Sequence, residues 1–208
     1  MIGLAAVAIA LFDRRAGVPP RGGAMTPAGP KGGPVSDFFE DLRVGTRLDL
    51  GSHTFTAEEI VGFAQRYDPQ PFHLDDAAAA QSHFGRLAAS GWHTVAVWMR
   101  LYVTARQATM AALAARGETP SRPGPSPGFR SLKWRRPVHA GDTIRYASTL
   151  TAKHASSTAG WGLVFHHNEG VNQDGHTVCE FDGSVFWECR GLAPALGARN
   201  GDEPQSIG

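Results

Sequence analysis

Tyr67-Asp68-Pro69-Gln70-Pro71-Phe72-His73-Leu74-Asp75 leads into Asp76 and the alanine run 77–80. After a short interval come Gly85-Arg86-Leu87-Ala88-Ala89-Ser90-Gly91-Trp92-His93-Thr94. Pro69 and Pro71 keep the segment holding Asp68 and His73 out of regular helix. Ser90-Gly91 is a small-residue turn that opens a long apolar stretch, so backbone N–H groups without acceptors gather there. A carboxylate, an imidazole and a donor-rich helix start are the parts needed to activate water and to stabilise an oxyanion.

Working back from this stretch, Thr56-Ala57-Glu58-Glu59 is a capping box, and the helix it starts runs to about Tyr67. Ile60, Phe63 and Ala64 give it one buried stripe, and Asp68-Pro69 ends it. Residues 47–55, with Leu48, Leu50 and Phe55, read as a strand. Phe38, Phe39 and Leu42 read as a short helical turn, with Val44-Gly45 as the corner after it. Residues 69–75 read as a loop carrying His73, and Asp75 as the cap of a short helix over 76–82.

Working forward, Ser90-Gly91 starts a helix over about 91–115. Its first half leaves little polar face, the pattern of a buried helix. Trp92, Trp98 and Met99 read as core, and Arg100 and Arg106 as an exposed edge or a dimer contact. Residues 117–128 are rich in Gly and Pro and read as a loop long enough to move. Four strands follow, at about 129–137, 143–154, 160–172 and 176–189. Leu132 and Trp134 alternate with Lys133 and Arg135, the period of a half-buried strand. Residues 137–142 are a turn, and Asn172-Gln173-Asp174-Gly175 is a hairpin signal. Pattern alone gives an α+β domain with an antiparallel sheet.

Asp68, Pro71, His73, Asp75 and Gly91 together resemble the MaoC-type (R)-specific enoyl-CoA hydratases. The resemblance runs from about Phe38 to about Glu188. It implies the hot-dog fold, an antiparallel sheet wrapped around a long central helix. It implies hydration and dehydration of trans-2-enoyl-CoA thioesters, a substrate with coenzyme A as part of it and no separate cofactor. By resemblance Asp68 and His73 jointly hold and deprotonate the water and one of them returns a proton. Which one does so stays open. The Gly91 amide is the implied oxyanion donor, its glycine letting the thioester approach closely. Phe72, Ser90, His93 and Arg135 are the candidate substrate-binding residues. Phe84 and Leu87 join Phe72 as a possible acyl-tunnel lining, with ordinary packing as the alternative. Arg130, Lys133, Arg135 and Arg136 form a basic cluster suited to phosphates, or simply a solvated strand face. Two positions depart from the family pattern. Gln70 stands where the hydratases carry Asn. Met99 stands where many carry a hydroxyl residue near the catalytic carboxylate, so a hydrogen bond to Asp68 is expected to be lost.

Taken alone, Asp68 reads as a turn residue before proline, His73 as a loop histidine and Gly91 as a plain helix-start glycine. In register they read as one site. The rival functions are a hot-dog thioesterase, a silent acyl-thioester binding module and a purely structural protein.

Composition sets outer bounds. Hydrophobic residues make 42% of the chain and the net charge is +1, so nothing in the global charge supports nucleic-acid binding. Cys179 and Cys189 show no metal or redox spacing, the usage of a reduced, cytoplasmic protein. Adjacent His166-His167 would face opposite sides of a strand, so no metal is assigned. Residues 1–36 are read as a disordered or mis-started extension, with Met25 as an alternative start. Their apolar stretch is too short to span a bilayer, and no membrane association is expected. The domain is placed at 37–190, with a disordered tail from 191. A lone sheet of this kind leaves an edge and an apolar face uncovered, so a homodimer is expected.

Overall fold

The computed structural model describes residues 36–191. The expectations for the N-terminal extension, up to residue 35, and for the tail from residue 192 lie outside the described residues. Within them, a 3₁₀ turn (Phe39–Asp41) is followed by β1 (Arg47–Thr54), α1 (Ala57–Tyr67), α2 (Pro71–Leu74), α3 (Asp76–Ala80) and α4 (Gly91–Ala115). Four strands close the domain: β2 (Gly128–Trp134), β3 (Thr143–Ala155), β4 (Trp161–Val171) and β5 (Thr177–Glu188). They form one antiparallel sheet of order β1-β3-β4-β5-β2, with α4 packed on it. This is the hot-dog fold.

The capping box forms as read, with Thr56 accepting from the Glu59 N–H and the Glu59 side chain answering the Thr56 N–H. Period-2 alternation on β3 sends Ile144, Tyr146 and Leu150 into the core. Ile144 and Tyr146 meet the Val97 and Trp98 face of α4 there, while Leu150 packs in a second cluster with Val164 and Trp187. The Tyr146 hydroxyl donates to the Thr94 carbonyl at 3.1 Å, so its one polar atom is satisfied inside. Asn172 and His176 close the β4–β5 hairpin, and Gly175 takes the positive φ the turn needs.

Four expectations are corrected. Residues 71–74 form a helical turn instead of a loop, because a proline at the first helical position needs no N–H. Trp92 is 46% exposed, since the sheet covers one side of α4 only. Arg106 is half-buried and does not stand on an exposed edge. It donates to Asp37 at 2.8 Å and to Ser121 at 3.2 Å, and lies over the Trp187 ring. That network also ties down the 117–127 connection: the Ser121 N–H donates to Asp37 at 2.7 Å, and Arg122 pairs with Glu188. Finally, a bulge between Arg130 and Lys133 interrupts β2, the edge strand, and Trp134 emerges 46% exposed.

Two histidines, the buried His93 and the half-buried His166, each hold a ring nitrogen that is buried without a partner. His93 is 2% exposed and stacks on Phe63 at 4.6 Å; its Nδ1 has no partner, nor has Nε2 of His166. Burial, then nearby positive charge, pushes both pKa values down to about 4. The unfolded chain takes up these protons near 6.5. Stability from these groups is therefore complete above pH 6.5 and lost as pH falls towards 4, by up to about 3 kcal/mol each. Thermal denaturation across that window is expected to show a falling midpoint; a flat one contradicts this account.

Candidate active site

The end of α1 places Asp68. The residue before a proline avoids the helical region, and Asp68 closes the helix at φ −153°, ψ 67°. Pro71 then opens α2, and that single turn carries His73, 5% exposed. From α3 the chain returns as an extended segment through Ala88 and Ala89, which bonds to the 137–139 turn. This return brings Ser90 and Gly91 to the same place.

The geometry is specific. His73 Nε2 lies 3.4 Å from Asp68 Oδ2. His73 Nδ1 lies 2.7 Å from the Ala88 carbonyl oxygen, which can only accept, so the proton sits on Nδ1. In the neutral ring Nε2 then carries the lone pair and faces the carboxylate. The Ser90 hydroxyl donates to Asp68 Oδ2 at 2.6 Å, and the Gln70 amide donates to Oδ1 at 2.8 Å. Burial works against the Asp68 charge. The bonds from Ser90 and Gln70, with His73 behind them, outweigh it, so the carboxyl ionises below its usual range.

The hydrogen bond expected to be lost at Met99 is therefore supplied from another position. Met99 is half-buried against the core. Ser90 caps α4 through the Trp92 N–H at 3.2 Å and in the same geometry holds Asp68. Sequence reading missed this role. Its available signal was a hydroxyl at the N-cap next to the glycine, a position whose oxygen is normally spent on the backbone alone. Ser90→Ala is expected to lower kcat about tenfold and to shift the acid limb of the pH–rate profile upward, because the donor that lowers the Asp68 pKa is gone. An unmoved acid limb contradicts that role.

A cavity of about 330 Å³ opens beside the pair, and its walls include His73, Phe84, Gly91, Trp134, Arg135 and Val138. Gly91 is the first residue of α4, so its N–H has no acceptor within the helix. His73 and Gly91 thus share one chamber. Arg135 also lines it, though its guanidinium pairs with Glu180 at 2.6 Å. Phe72 stands behind the wall, edge-on to His73 at 4.6 Å and tilted on Phe84 at 5.0 Å. Leu87 is in the core. His93 lies between Phe55 and Phe63, away from the cavity walls. Arg130 and Lys133 face the carboxylates of Asp182 and Glu180. His166 and His167 do face opposite ways, the first bonding Ser148 and the second Asp182.

Among the described residues, no cluster of His, Cys, Asp and Glu is placed to hold a metal ion. No helix among them is long and apolar enough to cross a membrane.

Residues 41–160 match the MaoC like domain family model. The MaoC-like dehydratase from Rhodospirillum rubrum is 36% identical, with a TM-score of 0.63 over 76% of this chain and 100% of that one. The R-hydratase PhaJ1 from Pseudomonas aeruginosa shares the fold at 21% identity and a TM-score of 0.51, over 82% of this chain and 96% of that one. Protein MaoC of Klebsiella aerogenes is 29% identical over 128 residues, 60% of this chain. The chain spans about a third of that relative's length, and under half of the length of the uncharacterized protein YdeM of Bacillus subtilis.

Proposed function

The chain belongs to the MaoC-like domain family, and from that premise we propose that it is a hydro-lyase acting on acyl-CoA thioesters. It adds water reversibly to a trans-2-enoyl thioester and gives the 3-hydroxyacyl thioester. The observation that carries this reading is the His73 imidazole, 3.4 Å from the Asp68 carboxylate, lining the same cavity as Gly91, the first residue of α4.

Water held between Asp68 Oδ2 and His73 Nε2 gives one proton to Nε2 as its oxygen bonds to the β-carbon. The double-bond electrons move through the α-carbon to the thioester oxygen, which takes the negative charge beside the Gly91 N–H. His73 Nε2 then returns a proton to the α-carbon, and the pair ends as it began. Asp68, held ionised by Ser90 and Gln70, stabilises the imidazolium while it exists. The Ala88 carbonyl keeps the ring from turning. We place coenzyme A at the mouth of the cavity, where Arg135 and Arg136 stand. The working unit we propose is a homodimer that covers the open edge of β2, where Phe129 and Trp134 are half exposed.

The test is incubation with crotonyl-CoA, following the enoyl absorbance and free thiol together. Loss of absorbance without thiol supports the hydratase. Thiol release points instead to a thioesterase, and no change across short, long and branched enoyl-CoAs overturns the catalytic reading.

A further inference from the structure

Gly91 is not open to the cavity on its own. The indole of Trp134 lies against it so closely that a methyl added at Gly91 would stand 2.5 Å from the indole Nε1, with Cε2 and Cδ2 also in collision. Three central ring atoms crowd one point, so the ring lies across the start of α4. Both residues line the same cavity. Backbone geometry puts the Gly91 nitrogen about 2.5 Å from that methyl position, which limits the Gly91 N to Trp134 Nε1 separation to about 5 Å. Two N–H donors so spaced can both reach one oxygen at ordinary hydrogen-bond length.

Two further facts bear on the indole. Trp134 has a ring contact and no hydrogen bond among the described residues, so its N–H is not committed elsewhere. Nor is the ring loose. Trp92 meets it edge-on at 5.2 Å, and its backbone is paired with Cys179 on β5. A fixed, uncommitted donor at the helix start is what a developing oxyanion requires.

We propose that the Trp134 indole N–H is a second donor to the thioester oxygen, acting beside the Gly91 N–H. This rests on the hydro-lyase reading. The enolate-like intermediate places charge on one oxygen with more than one lone pair, and a single backbone N–H leaves part of it unanswered. Trp134 is then a catalytic residue, contributing more to the intermediate than to the ground-state thioester.

The test is Trp134→Phe, which keeps an aromatic ring beside Gly91 and removes the N–H together with the second ring of the indole, so the comparison of ligands below separates the lost donor from the lost bulk. An unchanged thermal midpoint confirms the fold. With crotonyl-CoA, kcat is expected to fall by about 10- to 100-fold with KM changed less than about threefold. Acetoacetyl-CoA, whose enolate presents the same charged oxygen, is expected to bind at least about tenfold more weakly to the variant, while butyryl-CoA binds the two proteins alike. A wild-type protein that hydrates crotonyl-CoA alongside a Phe variant within about twofold of it in kcat overturns the role of Trp134 and leaves the hydratase standing. A wild-type protein that neither hydrates crotonyl-CoA nor binds either thioester overturns the hydratase and this assignment together.

Discussion

Asp68→Asn is expected to lower kcat for enoyl-thioester hydration by about 10³-fold or more, with the thermal midpoint nearly unchanged. The amide fits the same space. It can still receive the Ser90 hydroxyl, which donates to Oδ2 at 2.6 Å. What it cannot do is carry charge, so the imidazolium formed on His73 loses the carboxylate 3.4 Å away. In the flipped orientation the Ser90 bond is given up instead, and an amide N–H turned towards His73 Nε2 occupies the lone pair that takes the proton from water. His73→Asn is expected to fall to a similar floor, because without Nε2 there is no carrier between water and the α-carbon. The double variant is expected to be little worse than either single one, since the two groups act as a unit. The fold is retained because Asp68 sits at a helix end and the hydrophobic core lies elsewhere. Steady-state rates with denaturation midpoints check this, and either single variant with more than a tenth of the wild-type rate contradicts it.

Gly91→Ala is the second large effect, and its cause is packing more than substrate approach. The new methyl would meet the Trp134 indole, not empty space. Half exposed, the ring can swing outward only by giving up its contact with Trp92. Overpacking of this kind costs about 1–3 kcal/mol. The displaced ring also leaves the start of α4, so kcat is expected to fall by about 10²-fold. Adding Trp134→Ala to the same molecule removes the collision. The double variant is therefore expected to recover most of the lost stability without recovering the rate, a non-additive result that a double-mutant cycle reads directly. Additive losses of stability would mean that Trp134 and Gly91 are not in contact.

How far the site could be read from the sequence is clearest residue by residue. The capping box at Thr56 and Glu59 fixed the start of α1, and the proline after Asp68 fixed its end; both are short-range effects of backbone stereochemistry. The Asp75 cap and the helix start at Ser90-Gly91 were legible for the same reason. Trp92 and Arg106 were misread because apolarity and charge along a helix say which residues differ, not which face a sheet will cover. Arg106 is drawn inside by Asp37, 69 positions away, together with Ser121 and Trp187. No local pattern contains that pairing.

By itself, the sequence determined where elements begin and end, the alternation that makes the sheet, and the proximity in chain order of Asp68 and His73. Those depend on dihedral preference, capping and hydrophobic period, all of which act within a few residues. Tertiary structure alone decided that the Ser90 hydroxyl, 22 residues on, would replace the bond missing at Met99. It alone decided that Ala88 would set the His73 tautomer, and that Trp134 would lie on Gly91. Each of those contacts joins segments that only the closure of the sheet around α4 brings within a few ångströms, and contact at that range has no signature in the spacing of residues along the chain.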